Sequence, residues 1–189
     1  MLDAVGTSGY SYDNVGQLLS EDGPWTNDVI SYSYTARQRV SLSLQEPSGS
    51  PWNQSYAYDA ARRLTNVTST AGGFGYGYDA TRKMLVGKLL LPNAAYVTNT
   101  YDSVARLLTT KLQTNGVNID AYTYAYNLGG QRTQVVYTAG GYVNYGYDSA
   151  GQLTSALAYR LGGATRLQEQ MGYGYDAAHN LHPVRYGLL

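Results

Sequence analysis

Short alternating segments, rather than helical stripes, make up most of this sequence. In Val40-Ser41-Leu42-Ser43-Leu44, apolar and polar residues alternate with the two-residue period of a half-buried β-strand. Turn signals such as Asn115-Gly116 recur between these segments. Residues 155–171 come nearest to a helical stripe, but Gly162-Gly163 interrupts it. The pattern therefore predicts an all-β protein built from short strands and turns.

One signature, Tyr-x-Tyr-Asp, recurs along the whole chain. Clear copies are GYSYDNVGQL at 9–18, SYAYDAARRL at 55–64 and NYGYDSAGQL at 144–153, and GYGYDA occurs at 75–80 and 172–177. Successive anchors, the second tyrosines, lie 20 to 28 residues apart, which fits two strands and two turns per repeat. The eight anchors are Tyr12, Tyr34, Tyr58, Tyr78, Tyr101, Tyr126, Tyr147 and Tyr175.

The residue after each anchor predicts a turn. An Asp or Asn side chain can accept a hydrogen bond from the backbone N–H two residues on, and so end a strand. The turn residues are Asp13, Asp59, Asp79, Asp102, Asn127, Asp148 and Asp176, and Thr35 is the exception. Gly16, Gly130 and Gly151 suit a left-handed residue at the fourth turn position. Where Gln38, Arg62, Arg82, Ala105 or His179 stands there, the turn is expected to be different or strained.

Tyrosines two residues apart lie on the same face of a strand, so the repeat predicts an aromatic face. The chain has 21 Tyr and only one Phe, which favours a half-wet surface where each hydroxyl finds a partner or water. This face is structural, or it lines a cavity that stacks sugars or aromatic ligands. The candidate lining consists of Trp52, Tyr56, Tyr58, Tyr76, Tyr78, Tyr145, Tyr147, Tyr173 and Tyr175.

Two carboxylates that the turns do not explain share strand parity with tyrosines. If the strands are regular, Glu169 faces Tyr173, and Asp120 faces Tyr124. A carboxylate among aromatic rings can have a raised pKa and act as an acid or a base. These four residues are therefore catalytic candidates, and the alternative is that both carboxylates lie at water-exposed strand ends.

The composition limits the kinds of partner and cofactor that the chain is expected to bind. Lys plus Arg and Asp plus Glu number 13 each, so nothing indicates nucleic-acid binding. There is no Cys, and His179 and His182 are spaced for opposite faces of a strand, so no metal or cofactor is predicted. No apolar run could span a bilayer, and no signal peptide is visible, which leaves the localisation open.

The copies YSYDNVGQL, YAYDAARRL, YGYDSAGQL and YGYDAAHNL resemble the YD repeat, also called the RHS repeat, with its pattern Tyr-x-Tyr-Asp-x-x-Gly-Arg-Leu. The resemblance implies the fold of bacterial RHS proteins and teneurins, a ribbon of β-hairpins wound into a hollow shell. In bacterial polymorphic toxins and insecticidal toxin complexes, that shell encloses a C-terminal toxin, and such proteins are typically secreted or surface-delivered.

Together, repeat and resemblance predict one YD-repeat domain over residues 1–189. We expect an antiparallel hairpin meander of up to 16 strands, curled into a barrel-like or shell-like sheet, because a flat single layer leaves its apolar face uncovered. Family shells are several times longer, so the chain is expected to be a segment without its toxin. Its expected partners are other sheet edges of the same chain type or the remaining repeats of a parent chain.

The leading functional interpretation is a structural module that resembles the toxin shell and has no chemistry of its own. One alternative is a small hydrolase or lyase that acts on a glycosidic or ester substrate in a cavity lined by tyrosines and carboxylates. A glycan-binding module is the other alternative.

Overall fold

The computed structural model describes residues 5–181 and 185–186, and all regular elements in these residues are β-strands. The strand order follows the chain from first to last. The predicted all-β hairpin meander is thereby confirmed. The strands are β1 (Gly9–Tyr12), β2 (Leu18–Asp22), β3 (Val29–Thr35), β4 (Gln38–Leu44), β5 (Trp52–Tyr58), β6 (Leu64–Ser69), β7 (Gly72–Tyr78), β8 (Val86–Leu90), β9 (Tyr96–Tyr101), β10 (Leu107–Thr114), β11 (Val117–Tyr126), β12 (Arg132–Tyr137), β13 (Tyr142–Tyr147), β14 (Leu153–Tyr159), β15 (Thr165–Gly172) and β16 (Arg185–Tyr186).

The described sheet is not closed. Its strand order is linear, so β1 and β16 are its two edges. The described part of β16, Arg185–Tyr186, pairs with Gly172 and Met171 of β15. No pairing between β1 and β16 is found among the described residues.

The chain divides into two compact units. The first comprises residues 1–78 and 88–94, and the second comprises residues 79–87 and 95–189. The prediction of a single domain over residues 1–189 stays a prediction.

In the first unit, register assigns different chemistry to the two faces of the sheet. Residues that pair directly across antiparallel strands lie on the same face. On one face, cross-strand rows join Tyr32 with Leu42, and Tyr56 with Val67 and Phe74. The other face carries hydroxyl rows, in which Ser11, Ser20, Ser31 and Ser43 form one row and Ser33, Ser41, Ser55 and Thr68 form another.

The few buried apolar side chains of the described residues all lie in the second unit. The buried apolar side chains there are Ala95, Val135 and Ala158, and the described residues include no large side chain that is fully buried. Val135 pairs with Tyr124 on one side and Val143 on the other, so this core continues the tyrosine face. Cross-strand contacts and turns must therefore supply much of the stability that a deep core supplies elsewhere.

The tyrosine–aspartate turn has one conformation in most repeats. In the first copy, Asp13 N donates to Gln17 O at 2.9 Å, and Gly16 N donates to Asp13 O at 3.1 Å. Gly16 has φ of 82°, and the register shifts beside Tyr12, as in a three-residue hairpin loop closed by a bulge. The same backbone bonds recur after Asp59, Asp102, Asn127, Asp148 and Asp176.

The repeats without glycine use both of the predicted solutions. Arg62, Ala105 and His179 adopt the left-handed conformation with φ of 62°, 69° and 64°, so these turns are strained. The Arg82 copy is different: its loop is longer, and Asp79 N donates to Leu85 O. The Thr35 copy has a two-residue loop in which Ala36 and Arg37 both have positive φ, as a type I′ turn requires.

We predict that Ala105→Gly raises the free energy of unfolding by roughly 0.5–1 kcal/mol, because glycine relieves the left-handed strain but loses more chain entropy. The matched opposite change is Gly130→Ala at the same turn position. No atom lies within 4 Å of a Cβ built at Gly130, so its expected loss of about 1 kcal/mol is purely conformational. Urea unfolding measures the change in the free energy of unfolding of each variant, and changes of the same sign would contradict this account of the turn.

Candidate functional site

The carboxylate of each turn clamps the backbone that follows it. Asp13 Oδ1 accepts hydrogen bonds from Val15 N at 2.9 Å and Gln17 N at 2.8 Å. This pair of bonds, to the N–H groups two and four residues on, recurs at Asp59, Asp102, Asp148 and Asp176. Asn127 keeps the second bond, and Asp79 accepts from Thr81 and Arg82 instead. These turn side chains are thus occupied by local structure.

Hydrogen bonds to the ionised carboxylates lower several of their pKa values. The Arg63 side chain, 2.6 Å from Asp59 Oδ2, is the main cause at Asp59. The backbone N–H of Arg82 is the main cause of the lowered pKa of Asp79, and the Asn180 side chain of that of Asp176. At Asp102, burial raises the pKa, but hydrogen bonds from Arg106 outweigh it. The clamps therefore work best when the carboxylates are charged.

A second contact, which recurs at six of the eight anchors, joins a hairpin to the one before it. Tyr78 Oη donates to the carbonyl oxygen of Leu64 at 2.8 Å, and Leu64 is the cross-strand partner of the preceding anchor, Tyr58. We call these bonds the tyrosine ladder. Its other members are Tyr58 to Arg39, Tyr101 to Val86, Tyr126 to Leu107, Tyr147 to Arg132 and Tyr175 to Leu153, at 2.8–3.0 Å. Phenylalanine could not make these bonds, which explains why tyrosine stands at these six anchors.

Arginines couple the turn to the ladder. The Arg63 guanidinium pairs with Asp59 of its own turn and lies 4.3 Å from the ring centroid of the next anchor, Tyr78. Arg106 does the same with Asp102 and Tyr126. Each guanidinium thus contacts a carboxylate and an aromatic face at once, which links two successive repeats. Arg39 also covers Tyr32 and Tyr56, and Arg132 covers Tyr124.

The predicted aromatic lining lies within this network. Four of its members, Tyr58, Tyr78, Tyr147 and Tyr175, donate their hydroxyls to the tyrosine ladder. Of the others, the Tyr56 ring lies under the guanidinium of Arg39, and the Tyr173 hydroxyl donates to Met171 Sδ. Trp52 pairs across strands with Leu44, and Tyr76 lies on β7. Burial raises the pKa of Tyr145. None of the nine lines the surface cavities of about 530, 470 and 130 Å³ in the described residues. A ligand-binding role for this lining stays a prediction.

Glu169 does not face Tyr173 along a regular strand. Leu157 pairs with Gln170 but Tyr159 pairs with Thr165, so residues 166–169 bulge out opposite a single residue. Glu169 Oε1 instead lies 2.8 Å from Arg166 Nη2, with about 44% of its side chain exposed. The assumption of a regular strand, on which this catalytic pair depended, is wrong here.

Asp120 shares one face of β11 with Tyr122 and Tyr124, as expected for a regular strand, and Tyr122 is the ring beside the carboxylate. Ile119 forms a bulge just before it, and Thr138 Oγ1 donates to Asp120 Oδ1 at 2.7 Å. That bond and a second one from Tyr122 lower the pKa of Asp120, while the carboxylate raises the pKa of Tyr122. Tyr124 lies under Arg132 instead. The hydrogen bonds from Thr138 and Tyr122 thus act against the raised pKa that a general acid needs, and a catalytic role for Asp120 stays a prediction.

Sequence reasoning missed the arginines and the ladder acceptors. The signal for Arg63 and Arg106 was present, since each lies five residues after an anchor and directly before a leucine. The backbone carbonyls left no signal, because a carbonyl acceptor can belong to any residue. Thr138, the partner of Asp120, is 18 residues away in the sequence, on a neighbouring turn.

Residues 5–181 and 185–186 contain no group of three or more metal-ligating side chains, and His182 lies outside these ranges. The described segments also include no helix long and apolar enough to cross a membrane.

Solved structures of other proteins contain a similar fold. Over 93% of its length, the chain superimposes on part of a Photorhabdus luminescens Tc holotoxin pore structure, with a TM-score of 0.75 and 14% identity. It spans only 10% of the chain that it matches there. A crystal structure of TcdB2–TccC3–Cdc42 also matches, over 96% of this chain and 12% of the other, with 14% identity and a TM-score of 0.48. No protein-family model and no curated protein matches the sequence.

The first of these comparisons confirms at the level of fold the resemblance that the repeat indicated. This chain has the β-hairpin meander found in part of a Tc toxin chain.

We predict that Tyr78→Phe and Tyr126→Phe each lower the free energy of unfolding by about 1 kcal/mol, because the ring stays but the ladder bond is lost. Tyr34→Phe is the matched control, since no described residue accepts a hydrogen bond from that anchor's hydroxyl. Chemical denaturation compares the three, and an equal loss in the control would show that the ladder bonds do not stabilise the fold.

We predict that the protein loses stability in acid. The pKa values of Asp59, Asp79, Asp102 and Asp176 are lower when folded than the unfolded value of about 3.9. Their contribution is therefore complete above about pH 4 and is lost as the pH falls through the folded values. Melting temperatures followed by circular dichroism should fall in that window. Asp59→Asn, which copies Asn127 and cannot titrate, should make the fall shallower, and a melting temperature constant down to about pH 2 would contradict the prediction.

Proposed function

We propose that this chain is a structural wall module, similar to a segment of the encapsulating shell of RHS-type toxins and without chemistry of its own. The observation that carries the proposal is the tyrosine ladder, which uses the hydroxyl of six of the eight anchors to hold one hairpin to the next. The turn carboxylates are likewise used to close loops. The repeated polar groups thus hold the sheet together, which is what a wall requires.

The fold match supports the same conclusion. A chain that covers a tenth of a much larger toxin-complex chain corresponds to a stretch of its architecture. We therefore propose that the module works together with further repeats, which supply the rest of an enclosing surface. The cargo, on this proposal, is enclosed by the assembly and is not bound at a site of this segment.

The edge strand β1 supports association. All four of its residues are exposed, with Tyr10 at 47% and Tyr12 at 58%. An edge strand presents unpaired N–H and C=O groups that can add another strand. We propose that β1 pairs with the edge of a second copy or with other repeats of a parent chain.

No contact among the described residues favours the two alternatives. Glu169 is paired with Arg166, and the lowered pKa of Asp120 makes it a poor general acid for a hydrolase or lyase. A glycan-binding function would need aromatic faces open to a sugar, whereas Arg63 and Arg39 cover the rings of Tyr78 and Tyr56.

We predict that the chain associates in solution through β1, and that Tyr10→Lys shifts it towards the monomer. A lysine on an edge strand discourages strand addition, and Tyr10 is exposed enough for the change to leave the fold intact. Size-exclusion chromatography with light scattering over a range of concentrations measures the mass.

The control is Leu128→Lys, which adds the same charge at a fully exposed turn residue away from the strand edges. Its mass distribution should match that of the unaltered chain. If the unaltered chain is monomeric at every concentration, or if both variants behave alike, association through β1 is refuted.

A further inference from the structure

A surface cavity lies where two neighbouring hairpin loops of the second unit come together. Its volume is about 530 Å³, which is within the usual range for small-molecule sites. The loop between β12 and β13 contributes Ala139 and Gly141, and the loop between β14 and β15 contributes Leu161. Tyr137, Tyr159, Arg160 and Arg166 complete the lining, which is mostly apolar.

Close packing between the two loops shapes this cavity. A Cβ on Gly140 would lie 2.7 Å from Leu161 Cδ1, so the leucine is packed tightly against the neighbouring loop. Leu161 is nevertheless 74% exposed, which leaves most of its side chain facing solvent. The Tyr159 ring is fixed by stacking on Tyr142, with centroids 4.9 Å apart. The apolar wall is therefore largely formed before any ligand arrives.

The bulge of β15 is held by a buried amide. Gln170 is only 7% exposed, and its Nε2 donates to Ala158 O at 2.6 Å and to Arg166 O at 3.2 Å. These bonds fix the backbone of Arg166 beside the cavity. A second cavity of about 470 Å³ adjoins it, because both are lined by Arg160 and Arg166.

The charge at the junction of the two cavities is positive. Arg166 is paired with Glu169 at 2.8 Å. The guanidinium of Arg160 has no ion pair or hydrogen bond with any of the described residues, and only its backbone is bonded, to Gly163 and Ala164. One uncompensated cation therefore lies at the rim of an apolar, tyrosine-walled cavity.

We propose that this cavity binds small aromatic carboxylates, with the ring against Tyr137, Tyr159 and Leu161 and the carboxylate on Arg160. A guanidinium recognises a carboxylate through two parallel hydrogen bonds, and aromatic walls suit a flat apolar body. The site is separate from the predicted aromatic lining and does not depend on the wall function.

Other ligand classes fit the lining less well. A sugar needs several donors and acceptors, and an apolar wall would leave many of its hydroxyls without partners. A cationic ligand would be repelled by Arg160. A neutral aromatic compound would fill the cavity but would not use the guanidinium. Charge and shape together therefore select an anion with a flat apolar body.

Isothermal titration calorimetry with naphthalene-2-carboxylate tests the proposal on the full chain. Naphthalene-2-carboxamide and naphthalene-2-methylammonium are the neutral and cationic comparisons. We expect saturable binding of the carboxylate, with the carboxamide about threefold weaker or more and the ammonium weaker still. Arg160→Gln should bring the carboxylate down to the affinity of the carboxamide, and Leu161→Ala should weaken all the ligands that bind.

Arg37→Gln is the control, because it removes an exposed cation that does not line the cavity and should change nothing. Circular dichroism checks that each variant is folded. Absence of saturable binding would overturn the proposal, as would equal affinity for the carboxylate and the carboxamide. Full carboxylate binding in folded Arg160→Gln would likewise exclude Arg160 as the recognition group.

Discussion

The hydrogen bond from an anchor tyrosine to a carbonyl of the preceding repeat is the contact on which the rest of this structure depends. It combines a ring that packs on the sheet with a hydroxyl that reaches across it, as in Tyr78 to Leu64. In five of the six ladder bonds the acceptor is the cross-strand partner of the previous anchor, so each of these bonds spans one repeat. A chain of such bonds keeps successive hairpins in register although the described residues include almost no buried core.

Stability in such a sheet is local. Each hairpin contacts its neighbours through ladder bonds, through cross-strand pairs such as Tyr56 and Val67, and through arginines such as Arg63 that contact both a turn carboxylate and the next ring. Repeat proteins in general derive their stability from such nearest-neighbour contacts. Nearest-neighbour contacts of this kind allow a sheet to be extended repeat by repeat.

The repeat is least regular near the end of the described chain, and there the surface has features that the regular repeats lack. The β15 bulge displaces Glu169, and the buried Gln170 holds that bulge. Beside the apolar cavity, the Arg160 guanidinium has no ion pair or hydrogen bond with any described residue. In the regular repeats, hydrogen bonds within the sheet occupy the repeated polar side chains. A ligand site is therefore expected where the repeat pattern is interrupted.

The repeated Tyr-x-Tyr-Asp signature was enough to predict the strands, the turns and the order of the meander, because strand parity and turn chemistry act between residues close in sequence. The left-handed conformation of Gly16 follows from the same local rules. Contacts between repeats did not follow: the acceptor of Tyr126, the position of Arg106 over that ring and the threonine beside Asp120 depend on which residues the register brings together. The regular-strand assumption failed at Glu169 because a bulge changes parity without a local sequence signal. The sequence by itself thus determined the local backbone conformation. The tertiary structure decided the partners of each side chain, because hydrogen bonds and ring contacts act between atoms that only folding brings within reach.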